Sequence, residues 1–105
     1  MRLTTAERTA IAQAARETLP PGAKASLFGS RVDDNRRGGD IDLLIEPNMA
    51  LPPVEQVALR TRLAARLYRT MGERRIDIVL AALGMADERL IVSEARRQAV
   101  EVVRT

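Results

Sequence analysis

Residues 27–46 read LFGSRVDDNRRGGDIDLLIE. An apolar run enters a Gly-Ser step at Gly29-Ser30, a polar loop follows, and two glycines lead into Asp40-Ile41-Asp42 at the mouth of a second apolar run. Side chains alternate along an extended strand, so Asp40 and Asp42 point to one side while Ile41, Leu43 and Ile45 point to the other. Two carboxylates held that close repel each other and resist burial unless a cation or strong hydrogen-bond donors sit among them. The identity of that compensator is the functional question the stretch poses.

A third strand repeats the pattern. In RRIDIVLA, Asp77 faces one side and Ile76, Ile78 and Leu80 the other. If the two strands are neighbours sharing one core, Asp40, Asp42 and Asp77 converge on a single sheet surface. Carboxylate oxygens suit Mg²⁺, a hard ion commonly bound by one or two carboxylates together with substrate phosphates. Gly29-Ser30 supplies the complement. A glycine after a strand permits close backbone approach, turn amides and the Ser30 hydroxyl can donate to anionic oxygens, and Arg31 offers a phosphate-matching fork. Taken singly these features are weak, because Asp-x-Asp at a strand entrance and Gly-Ser are both common turn chemistry. Their combination in order is what points to a site.

Working outward, the segment from Leu3 to Gly22 opens with Thr4 and Glu7 in capping-box spacing, carries Ile11, Ala14, Ala15 and Leu19 at helical intervals, and stops at Pro20-Pro21. A second helix runs from Val54 to Met71 and is apolar on two sides. Val54, Val57, Ala58, Thr61, Ala65 and Tyr68 form one stripe, Leu59, Leu63 and Leu67 the other, with Arg62, Arg66 and Arg69 between. Such a helix is either sandwiched in the fold or shows one side to another chain. A last helix from about Ala86 to Gln98 precedes a short closing strand, VEVV. The order α–β–β–α–β–α–(β) predicts a single domain over residues 1–105 of α/β (α+β) class, a small mixed sheet flanked by helices.

Composition narrows the chemistry. The 105 residues carry 46% hydrophobic residues and a net charge of +3, with no cysteine and no histidine. Disulfide scaffolds, thiolate or imidazole zinc sites and His-dependent triads are thereby excluded. Phe28 and Tyr68 are the only aromatics, too few for base-stacking platforms, and a solvated helix edge accounts for the arginine stripe, so nucleic acid is not the expected partner. The longest apolar run, Ile78 to Ala86, is too short to span a bilayer and the N-terminal residues show no signal-type apolar region. A cytoplasmic protein without membrane contact is the expectation.

Gly29, Ser30, Asp40, Asp42 and Asp77, in this order, resemble the signature of the DNA polymerase β-like nucleotidyltransferase superfamily, and most closely its minimal nucleotidyltransferase (MNT) branch. The resemblance covers nearly the whole chain. It departs at two points: the loop reads RVDDNRRGG where an Arg-Gly step is frequent, and Gly39 stands where serine often precedes the first Asp. The resemblance implies a polymerase β-like palm fold and transfer of a nucleoside monophosphate, AMP from ATP or NMP from another NTP, to a hydroxyl. It implies that Asp40 and Asp42 hold two Mg²⁺ ions that bridge the triphosphate, that Asp77 completes the second metal site and helps the acceptor hydroxyl lose its proton, and that Gly29, Ser30 and Arg31 contact the nucleotide. Minimal proteins of this kind are often the antitoxin half of toxin–antitoxin pairs, their partner a helical HEPN ribonuclease silenced by AMP on a tyrosine. The Leu59/Leu63/Leu67 face is then the expected docking surface. The alternative is a binding antitoxin that neutralises its partner by occlusion, without turnover.

Overall fold

The computed structural model describes residues 3–29, 41–72 and 74–105. Helix α1 (Thr5–Thr18) begins at a capping box, with the Glu7 N–H donating to Thr4 Oγ1 at 3.0 Å and the Thr4 N–H to Glu7 Oε1 at 2.9 Å. The chain then makes β1 (Lys24–Phe28), β2 (Ile41–Glu46), α2 (Pro53–Met71), β3 (Ile76–Leu80), α3 (Leu90–Gln98) and β4 (Val100–Arg104). The strands form one four-stranded sheet in the order β3-β2-β1-β4. β1 is antiparallel to both β2 and β4, whereas β2 and β3 are parallel and joined by the α2 crossover. The expected class and element order are thus observed, including the closing strand.

Alternation divides the sheet into two faces. Leu27, Ile41, Leu43, Ile45, Ile76 and Leu80 pack beneath α1 and α2. Phe28 and Leu44 pack on the opposite side with Val92 and Ala95 of α3. Helices therefore cover both sides of the sheet, and Asp42 and Asp77, out of phase with the larger core, belong to the α3 side.

Two readings are corrected. Leu59, Leu63 and Leu67 are buried, with exposures of 3%, 1% and 0%, and they pack into the main core with Ile11 and Leu43. They cannot be a docking surface. The outward stripe is the other one, where Val54, Val57 and Tyr68 are exposed. Burial of three leucines outweighs that of a stripe mixing Val, Ala, Thr and Tyr, and an ion pair from Arg66 Nη1 to Glu17 Oε2 at 3.0 Å joins α2 to α1 in that orientation. The last helix begins at Leu90 rather than near Ala86. Asp87 accepts from the Arg89 N–H and from its guanidinium, each at 3.0 Å through Oδ1, which favours a turn over a helical first residue. These hydrogen bonds from Arg89 hold the Asp87 carboxyl down at about 2.

Arg96 fixes the segment before α3. Its Nε donates to the buried Glu46 at 3.1 Å, and its two terminal nitrogens donate to the carbonyls of Met85 and Ala82 at 2.7 and 2.8 Å. Lys24 stands 3.7 Å from the same carboxylate. Arg96→Met keeps the stem but orphans the carboxylate from its stronger partner. It is expected to lower unfolding free energy by about 2 kcal/mol, less than full loss of a buried ion partner because Lys24 remains. Denaturant titration reads this directly.

Candidate active site

The register places the acidic residues. Asp42 pairs with Phe28 of β1 on one side and with Asp77 of β3 on the other. Directly opposed residues project to the same face, so Phe28, Asp42 and Asp77 form one row across three strands, neighbours about 4.8 Å apart. Exposure rises along the row. Phe28 is buried at 7%, Asp42 is half-buried and Asp77 lies open at the edge strand. An apolar ring on one flank and solvent on the other give the carboxylates a directional opening.

The entrances to β2 and β3 are tied together, since the Ile41 N–H donates to the Arg75 carbonyl at 3.0 Å. Arg75 Nε stands 3.5 Å from Asp77 Oδ2 with both side chains largely exposed. An exposed pair of this kind stabilises little, but it puts a guanidinium beside the carboxylate row. Just upstream, Arg74 forms an ion pair with Glu7, the N3 partner in the capping box of α1, which anchors the lead into β3 to the helical layer.

Gly29 ends β1 in a left-handed conformation, φ +75°. A Cβ built on it would fall 2.3 Å from Asp42 Oδ2 and 3.1 Å from Asp42 Cγ. The carboxylate thus occupies the space a side chain would need, and glycine is required here by both backbone angle and contact. The Gly29 N–H donates to Gln98 Oε1 at 3.0 Å.

Of the six residues singled out in the sequence, Gly29, Asp42 and Asp77 come together in this way. Asp40, Ser30 and Arg31 lie outside the described residues. Among the described residues no group of three acidic side chains forms a metal cluster. Two participants were not anticipated. Arg75 had a signal, because it stands two residues before Asp77 on an extended chain and so on the same side. Gln98 had none, being 69 residues from Gly29. A cavity of about 190 Å³ bounded by Pro47, Met49, Leu51, Leu80, Ala81 and Met85 lies at the opposite ends of β2 and β3 and shares no residue with the carboxylate row.

No family model matches the chain, and no match was found among curated proteins. Solved structures are. A chain from a toxin–antitoxin structure with AMP-PNP superposes with a TM-score of 0.62 at 21% identity, covering 93% of this chain and 73% of that one. The toxin–antitoxin MntA–HepT gives 0.60 at 20% identity, covering 97% and 74%. A tri-AMPylated HEPN toxin in complex with MNT antitoxin, from Shewanella oneidensis, gives 0.60 at 21% identity, covering 94% and 71%. The fold is that of these MNT toxin–antitoxin proteins. At such identities it is the architecture that is shared, a mixed α/β fold of the class expected from the sequence. Among the described residues no helix is long and apolar enough to cross a membrane.

Proposed function

We propose that this chain is a Mg²⁺-dependent nucleotidyltransferase that moves AMP from ATP to a hydroxyl, a tyrosine of a helical HEPN-type partner, and so serves as that partner's antitoxin. The observation that carries the reading is the Phe28–Asp42–Asp77 row with Gly29 pressed against the Asp42 carboxylate. Support comes also from the shared fold with toxin–antitoxin structures, one with AMP-PNP and one with an AMPylated toxin.

The donor set fits a hard divalent cation. The polar side chains on the row are both carboxylates, and the absent Cβ of Gly29 makes the room that one Asp42 oxygen occupies. Asp42 and Asp77, with Asp40, would hold Mg²⁺, which supplies charge neutralisation around a triphosphate. The chain's own contribution is positional. Adjacent parallel strands fix two carboxylates in one row, Phe28 walls the inner flank from water, and the open flank at Asp77 admits the acceptor. There Asp77 takes the acceptor's proton as its oxygen bonds to the α-phosphorus and the bond to the departing pyrophosphate breaks. Arg75 offsets part of the negative charge on that flank.

The test is transfer of label from ATP marked at the α-phosphate, with Mg²⁺ and a candidate HEPN partner. Label is expected on a partner tyrosine and is expected to vanish with EDTA. Neutralisation of the partner that survives Asp40→Ala and Asp42→Ala together would overturn the transferase in favour of occlusion.

A further inference from the structure

We propose that Gln98 is a positioning residue, a side chain from the end of α3 that holds the Gly29 turn against the Asp42 carboxylate. The inference rests on the transferase reading for its functional meaning, but its structural content is independent of it. The β1–β4 ladder pairs Leu27 with Val100. Continued two residues in the antiparallel sense, that register sets residue 98 opposite residue 29. By then the chain at 98 has become helix, so a side chain substitutes for the strand backbone. Gln98 Oε1 accepts the Gly29 N–H at 3.0 Å, extending the ladder by one bond beyond Phe28.

The consequence falls on Asp42. Gly29 turns with φ +75° on the far side of that bond, and the face where its side chain would be is filled by Asp42 Oδ2. A turn free to swing would leave the Asp42 carboxylate without its wall. Gln98 therefore couples the α3–β4 junction to the inner end of the carboxylate row. The side chain acts through the Gly29 N–H, so its role is to orient and not to catalyse.

Gln98→Ala removes the acceptor at the last residue of α3, where alanine is well tolerated in a helix. Gln98→Glu retains an acceptor oxygen at the same reach. Amide hydrogen exchange resolved at Gly29 is the direct readout. Loss of one neutral hydrogen bond corresponds to about five-fold in an opening equilibrium. Exchange at Gly29 is expected to rise by about that factor in Gln98→Ala and to return towards the parent rate in Gln98→Glu. In label transfer, Gln98→Ala is expected to lower kcat about ten-fold, within the range that a misplacement of about 1 Å produces, with the KM for the acceptor unchanged. Unchanged Gly29 exchange in Gln98→Ala, or exchange in Gln98→Glu as fast as in Gln98→Ala, overturns the inference. Absence of transfer by the parent protein strikes the transferase reading instead, and the Gly29 exchange still decides the role of Gln98.

Discussion

Asp42→Asn is expected to lower label transfer by about 10³-fold or more, the upper scale for losing one electrostatic stabiliser of a transition state, while the fold is kept. Asparagine preserves the shape of the side chain beside Gly29 and Phe28. What it removes is one charge from a row in which Asp42 and Asp77 stand on adjacent strands. Asparagine keeps the volume and one oxygen of the half-buried side chain, so the stability of the metal-free protein is expected to change by less than about 1 kcal/mol. A large loss of activity with little change in stability is a pattern that a structural aspartate would not produce. Transfer within ten-fold of the parent, or a loss of stability above about 1 kcal/mol, would show that the carboxylate serves the fold. Denaturant curves without metal and transfer assays with Mg²⁺ give the two halves of the comparison.

That row was legible because strand alternation is local. Ile41, Leu43 and Ile45 on β2, and Ile76, Ile78 and Leu80 on β3, each need one apolar face, and this alone turns Asp42 and Asp77 the same way. Adjacency of the two strands was only a condition of the sequence reading, and the structure supplies it as a parallel pair joined by the α2 crossover. The orientation of α2 was not legible. Both of its stripes are apolar, and periodicity states that a helix has faces without stating which meets the sheet. The larger apolar volume of Leu59, Leu63 and Leu67 decides it, but only once α1 is in place. The start of α3 was misread for a related reason. Residues 81–89 are rich in Ala, Leu and Met, good helix formers, yet Arg96 holds two of their carbonyls and Asp87 engages the Arg89 N–H. Tertiary hydrogen bonds override propensity there. Gln98 illustrates the limit most sharply, since its role depends on a register between β1 and β4 that no local pattern encodes.

Gly29→Ala tests the one contact that links the Gly-Ser step to the Asp-x-Asp strand. Two separate costs are expected. An L-residue at φ +75° bears about 1–2 kcal/mol of backbone strain. In addition, the new methyl would meet Asp42 Oδ2 at 2.3 Å, so the carboxylate must rotate out of the row. The rotation is cheaper than moving two strands, because the Asp42 Cβ lies at 3.3 Å and can remain nearly in place. Stability is therefore expected to fall by about 2–3 kcal/mol, and label transfer by about 10²-fold, the cost of a misplacement near 1 Å. A double-mutant cycle with Asp42→Ala separates the terms. With the oxygens gone, Gly29→Ala keeps its backbone strain and loses its clash, so the two substitutions should be non-additive by about 1 kcal/mol, the smaller combined cost revealing the contact. Additivity within about 0.3 kcal/mol would mean that the Asp42 carboxylate does not lie over Gly29 in solution. In that case the glycine would serve the turn alone, and the physical link between the two halves of the candidate site would be lost.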